Sequence, residues 1–156
     1  MIKAWRLVKP KHVESAFNGE GPRIYGGRWN SEGTVVVYTA SSVALAALEI
    51  IVNTLSVDST SLLKGYRAIP LQFEDSLLQT GREVPDGWDH KPPGPESQLY
   101  GDRWVAKNSS VVLEVPSVVV PLESNFLINP QHPYFKKISI GKPVEFKFDK
   151  RIISVT

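Results

Sequence analysis

Between Glu32 and Asp58 the chain carries one charged side chain, Glu49. The residues leading up to it include the apolar run Val35-Val36-Val37-Tyr38, and Glu49 itself sits among Val, Ala, Leu and Ile. A stretch with so little polarity has to supply interior. Its first part reads as a short strand, and Thr39 to Ser42 offer turn and N-cap chemistry. The length and Ala/Leu content of Val43 to Leu55 predict a helix. A helix apolar nearly all round is expected to be buried. A lone carboxylate in such a helix is costly unless it is paired or faces a cleft. Glu49 therefore has two readings. One is a buried ion pair or a helix edge that reaches solvent. The other is a cleft carboxylate that positions a hydroxyl or stabilises a cation.

The rest of the chain sets the fold class. A length of 156 residues suits one compact domain, and 42% hydrophobic with 22% charged residues excludes a mostly disordered chain. Val and Ile together outnumber Leu by 28 to 13, a β-rich bias. Strands are predicted at Ile2 to Val8, stopped by Lys9-Pro10, at Gly65 to Phe73, at Val111 to Val115 and at Val144 to Phe148. Shorter apolar runs are Val118 to Val120 and Phe126 to Ile128, and Ile138 to Ile140 alternates and, with Val144 to Phe148, finishes the sheet. Pro70 points to an edge position or a bulge. Pro95 opens a second helix that runs to about Lys107. The stretch from Asn18 to Gly33 holds five glycines and reads as a sharply bending loop. Val84 to Pro95, rich in Pro, Gly and Asp, reads as a surface excursion. Helices without regular βαβ alternation predict an α+β domain with a central mixed β-sheet, spanning residues 1–156.

Several function classes drop out. A net charge of +2 is too small to argue for nucleic acid. The absence of cysteine excludes disulfides, zinc–thiolate sites, a Cys nucleophile and Cys-ligated iron–sulfur clusters. The three histidines, His12, His90 and His132, show no metal-ligand spacing, so no metal is expected. No apolar stretch suits a signal peptide or a membrane span, and the expectation is a cytoplasmic protein. There is no dinucleotide fingerprint, P-loop or G-x-S-x-G elbow.

Four further residues could share chemistry with Glu49. In Gly26-Gly27-Arg28-Trp29-Asn30 a guanidinium flanked by glycines can form paired bonds to a phosphate or carboxylate, although such a loop is also an ordinary exposed turn. Tyr38 is either core or a ring that stacks on a base-like ligand. Ser117 follows Pro116 between strands, where a serine commonly caps a turn. Asn125 comes soon after.

Together these segments resemble a known family. The run GGRWNSEGTVVVYTASSVALAALEIIV resembles the signature of RES-domain proteins, and VVLEVPSVVVPLESNFLINPQHPYF resembles their second block. Arg28, Glu49 and Ser117 match the Arg, Glu and Ser that give the family its name. Arg6, in the run AWRLVKP, and Tyr38 match further family positions. The resemblance implies a fold like that of ADP-ribosyltransferase toxins. It also implies the toxin of a bacterial type II toxin–antitoxin pair, which consumes NAD by phosphorolysis or hydrolysis at the nicotinamide–ribose bond. Some members instead transfer ADP-ribose to a protein. NAD would be a substrate and not a cofactor, with inorganic phosphate as a co-substrate of phosphorolysis. The implied partner is an Xre-like helix-turn-helix antitoxin, with a toxin homodimer inside the complex and no direct nucleic-acid or membrane contact by this chain.

Under this reading Glu49 stabilises an oxocarbenium-like ribose. Arg28 and Arg6 hold the pyrophosphate or the attacking phosphate. Tyr38 stacks on the nicotinamide ring, Ser117 orients a ribose hydroxyl or the carboxamide, and Asn125 joins the substrate-binding set. An RNA-targeting toxin and a non-catalytic β-rich binding module are the readings from other classes. The aromatics Trp5, Trp29 and Trp104 form no stacking-platform pattern for RNA.

Overall fold

The computed structural model describes residues 1–81 and 83–153. The strands are β1 (Ile2–Val8), β2 (Val37–Ala40), β3 (Tyr66–Phe73), β4 (Leu78–Thr80), β5 (Val112–Pro116), β6 (Ser124–Ile128), β7 (Ser139–Ile140) and β8 (Val144–Phe146). The helices are α1 (Glu20–Tyr25), α2 (Val43–Asp58) and α3 (Pro95–Lys107). The strands join in one sheet, ordered β4-β5-β6-β2-β1-β3-β7, with β8 also on β3. All pairs are antiparallel except β4 with β5, so the sheet is mixed and the domain is α+β.

The two faces of the sheet separate by the period of two. Tyr38 lies opposite Leu127, and Leu127 opposite Leu113. These side chains pack with the buried Trp29 and Trp104 beneath α3. The alternate residues Val37, Val112 and Ile128 face the other way and pack with Leu71, Phe73, Phe126 and Ile138. Helix α2 covers another part of the sheet, where Ala46, Ala47, Ile50 and Ile51 meet Leu7, Tyr66, Ala68 and Phe148. Of the four tryptophans, Trp29, Trp88 and Trp104 share one cluster and Trp5 joins another.

The structure corrects several local expectations. The strand expected at Val35 to Tyr38 lies two residues later, because its ladder with β6 runs from Val37 opposite Ile128 to Ala40 opposite Asn125. An apolar run does not fix where a ladder begins. Part of the glycine-rich stretch forms α1, bracketed by Gly19 and Gly26. Of the two shorter apolar runs, Phe126 to Ile128 lies in β6, while Val118 to Val120 form a bend between β5 and β6. Pro70 is not on an outer strand, since β3 pairs on both sides. Its carbonyl accepts from the Gly141 N–H, so its missing N–H faces the same side. The β7 register, with Leu71 opposite Ile140, places Gly141 opposite Pro70, and the ladder stops there because the ring has no N–H to return the bond.

Helix α2 is not buried all round. Leu48, Val52 and Leu55 are 38%, 51% and 44% exposed, and Ala44 is exposed with them. Spacings of four, four and three place them in one stripe. Among the described residues, no helix is long and apolar enough to cross a membrane.

Candidate active site

The site begins with two backbone devices. Helix α2 starts at Ser42, whose hydroxyl accepts the Leu45 N–H at 3.0 Å, and this cap fixes the first turn. Glu49 then projects from the middle of the helix. On the neighbouring strand end, the chain leaves β5 at Pro116 and turns back into β6. The Ser117 N–H donates to the Glu123 carbonyl at 2.9 Å, and the Ser117 hydroxyl accepts the N–H groups of Val119 and Val120, each at 3.1 Å.

That hydroxyl also donates to Glu49 Oε1 at 2.8 Å, and Asn125 Nδ2 donates to the same oxygen at 2.7 Å. Among the described residues Glu49 Oε2 receives no protein hydrogen bond. Because a carboxylate only accepts, the Asn125 amide must present its NH₂ to Glu49. Its Oδ1 is then buried without a partner. A buried acceptor left unpaired is costly, and in a cleft it is a natural place for a ligand donor.

The Arg28 loop is built around Tyr38. The Tyr38 hydroxyl donates to Asn30 Oδ1 at 2.6 Å and accepts the Trp29 N–H at 3.0 Å. Burial pushes this phenol well above its ordinary value, so it stays a neutral donor. Asn30 Nδ2 in turn donates to the carbonyls of Pro22, Ser31 and Thr34. A Cβ at Gly27 would lie 2.6 Å from the Tyr38 hydroxyl oxygen, so glycine is what lets the loop close over the ring. Trp29 is 2% exposed and locks the loop into the core. Arg28, between these anchors, is half-buried.

Arg28, Tyr38, Glu49 and Asn125 line one cleft of about 730 Å³, together with Val52, Asn53, Lys91 and Pro93. That size suits a small-molecule site. Partial burial lowers the Arg28 guanidinium from its ordinary value, opposed by the negative charges of Asp89 and Glu49. Arg6 lies in a side pocket of about 150 Å³ that shares Tyr38, Glu49 and Asn53 with the main cleft. Its Nε donates to the Ala16 carbonyl and its Nη1 to the Tyr38 carbonyl at 3.0 Å. β1 and β2 register only at Trp5 opposite Ala40, and Arg6 bridges the strands where that pairing ends. Burial lowers the Arg6 guanidinium to about 10. Among the described residues it has no carboxylate within 4.0 Å.

The other five sequence-derived candidates thus meet around Glu49: Ser117 and Asn125 bonded to it, Arg28 and Tyr38 beside it in the cleft, Arg6 in the side pocket. Sequence reasoning missed Asn30, although it stands in the Gly-Gly-Arg-Trp-Asn run. It also missed Asn53, one helical turn beyond Glu49, a spacing that could have revealed it. Lys91 carried no signal of its own. Among the described residues, no group of three or more His, Asp or Glu side chains could hold a metal ion.

The fold and the site define a small α+β protein whose cleft holds one braced carboxylate and a guanidinium, with a second guanidinium in the adjoining side pocket. The chain belongs to the RES domain family, which it matches over residues 3–149. It is 36% identical over 151 residues to the Toxin Res of Yersinia enterocolitica serotype O:8 / biotype 1B, covering 95% of this chain and 97% of that protein. It is 36% identical over 156 residues to a protein of Sphingobium sp. (strain YBL2) named Prs ADP-ribosylating toxin, covering 96% and 95%. A crystal structure of the M. tuberculosis MbcT–MbcA toxin–antitoxin complex contains a similar fold, with a TM-score of 0.76 and 17% identity over 94% of this chain and 84% of that chain.

Proposed function

We propose that this chain is the toxin of a bacterial toxin–antitoxin pair, and that it breaks the nicotinamide–ribose bond of NAD and passes ADP-ribose to phosphate or water. The observation that carries the reading is Glu49, braced at one oxygen by Ser117 and Asn125 and bare at the other, in a cleft with Arg28. Nicotinamide leaves as a neutral base from a cationic glycosidic bond, so no strong general acid is required. The reaction needs an anion beside the ribose as it becomes oxocarbenium-like, and Glu49 Oε2 is free for that work. The unpaired Asn125 Oδ1 suits a donor on the ribose or the carboxamide. The Tyr38 ring offers a stacking surface, and Arg28 and Arg6 are cations for the pyrophosphate. Ser117 acts through Glu49: its one proton and both its lone pairs are already engaged.

An Xre-like antitoxin is the partner that this reading calls for. The exposed stripe Leu48, Val52 and Leu55 borders the cleft through Val52, and Tyr25 at the cleft is 80% exposed. Apolar surface at a cleft mouth suits a protein that covers it. Replacing Leu48 and Leu55 together by Glu is expected to release the toxin from neutralisation while leaving turnover intact. Unchanged neutralisation in a growth assay would remove the stripe from the interface. A toxin homodimer within the complex belongs to the same proposal, and sedimentation of the purified complex tests it.

The deciding experiment incubates purified protein with NAD, with and without inorganic phosphate, and follows products by mass spectrometry. Loss of NAD only with phosphate, giving a phosphorylated ADP-ribose, identifies phosphorolysis. Release of nicotinamide and ADP-ribose without phosphate identifies hydrolysis. The Glu49→Gln variant is expected to lose at least about a hundredfold in kcat while remaining folded. No turnover by folded wild-type protein overturns the small-acceptor reading. It would leave protein ADP-ribosylation, which the name of the Sphingobium relative favours, to be sought as a labelled target in lysate.

A further inference from the structure

The excursion between β4 and α3 is a wall of the cleft. Arg28 Nη1 donates to two of its carbonyls, Trp88 at 2.8 Å and His90 at 2.9 Å. The Trp88 ring stacks on Trp29, with centroids 5.9 Å apart and planes at 17°. From the α3 side, Gln98 Nε2 donates to the Gly27 carbonyl at 3.1 Å. The excursion and the Arg28 loop are therefore one unit, held by the same guanidinium that faces the ligand space. Directly after the His90 carbonyl comes Lys91, which lines the cleft with Arg28 and Glu49.

A count of charge at the cleft gives Lys91 its task. One guanidinium nitrogen of Arg28 is engaged by backbone, and Asp89 and Glu49 already offset part of its charge. A dinucleotide pyrophosphate brings two negative charges, and inorganic phosphate close to two. Arg6 sits in the side pocket with its guanidinium already bonded to the Ala16 and Tyr38 carbonyls, so the two arginines still leave such a group partly unmatched. Among the described residues Lys91 has no carboxylate within 4.0 Å, so its ammonium is free to bind an anion. A lysine suits this task as a compact point charge on a flexible stem, with three donors.

We infer that Lys91 is a phosphate-binding residue of this cleft, set in place by the hold of Arg28 on the carbonyls of Trp88 and His90. The inference rests on the NAD reading above and goes beyond it. The phosphate could be the dinucleotide pyrophosphate or the inorganic co-substrate.

The test combines binding and turnover for wild type, Lys91→Ala and Lys91→Arg. Calorimetry with ADP-ribose, which carries the pyrophosphate without the scissile bond, reads affinity apart from chemistry. Steady-state assays give KM for NAD and for inorganic phosphate. In Lys91→Ala the ADP-ribose Kd and the NAD KM are expected to rise about tenfold, with kcat within about twofold, and Lys91→Arg is expected to recover most of the loss. If only the KM for inorganic phosphate rises, the inference stands and its ligand is the co-substrate. If none of these constants moves, Lys91 binds no phosphate and the inference is overturned. Wild type that binds ADP-ribose but leaves NAD intact sinks the proposed reaction, while the role of Lys91 is still read from the Kd. Wild type that binds neither ADP-ribose nor phosphate overturns both. Lys91 is exposed, so unchanged melting temperatures should confirm that the variants fold.

Discussion

Ser117 has one proton and two lone pairs, and all three are engaged: the proton by Glu49, the lone pairs by the N–H groups of Val119 and Val120. Ser117→Ala removes the bond to Glu49 and leaves two turn N–H groups unpaired. The expected cost is about 1–3 kcal/mol of stability, read by denaturant unfolding. A carboxylate held by Asn125 alone should also lower kcat about tenfold or more, with KM for NAD little changed. A rise in KM with kcat intact would mean that the serine touches substrate instead. Tyr38 gives a pH signature. Burial raises its phenol, opposed by the bond from the Trp29 N–H. A group raised on folding contributes stability that is present below its unfolded value, about 10 for tyrosine, and lost as pH climbs above it. Wild type should therefore lose stability above about pH 10 more steeply than Tyr38→Phe. Some slope remains in the variant, because burial also raises Tyr66 and Tyr100. Equal slopes would mean that the Tyr38 phenol is not buried in solution. Glu49 was legible in the sequence because it breaks an apolar run. Asn30 was not, because its partners are the backbone carbonyls of Pro22, Ser31 and Thr34, and no residue type reports where a carbonyl will point.

At the scale of elements, packing decides what local pattern leaves open. Helix α3 crosses the Arg28 loop at Gly101, where a Cβ would lie 1.7 Å from the Trp29 carbonyl oxygen. Neither backbone can yield without moving the loop. Gly101→Ala is therefore expected to destabilise by about 1–3 kcal/mol or more and to lower turnover, although the residue lies outside the cleft. The control is Gly21→Ala, whose Cβ would meet nothing within 4 Å, and which should melt close to wild type. The same measurements on Gly101→Ala, giving wild-type stability, would show that the close approach is not kept in solution. The limits of pattern reading lie here too. β1 and α3 were found close to their bounds because Pro10 stops the one and Pro95 opens the other. β4 was missed, since three residues, Leu78 to Thr80, gain their order from parallel pairing with β5 and not from their own alternation. Helix α2 was misread as fully buried because an apolar face left exposed has the same composition as one toward the core.

For the whole molecule, the site has no existence outside the fold. Arg28 comes from the loop before β2, Glu49 from α2, Lys91 from the excursion, and Ser117 and Asn125 from either side of the β5–β6 turn. The unfolded chain scatters these groups, so a ligand that needs several of them binds the folded state alone. Binding must then raise stability by RT ln(1 + [L]/Kd), about 2.7 kcal/mol at a hundred times Kd. For a chain of this length each kcal/mol moves Tm by about 2–4 °C. ADP-ribose at that concentration is expected to raise Tm by about 5–10 °C, measured by scanning calorimetry across a ligand series. Lys91→Ala should follow the same curve displaced to about tenfold higher concentration, since it loses one of the contacts and none of the fold. Glu49→Gln should keep most of the shift, because a ground-state ligand without the cationic ribose draws little on that carboxylate. A Tm flat across the series for all three proteins would mean that the gathered residues do not form a binding site for the ADP-ribose part of the dinucleotide.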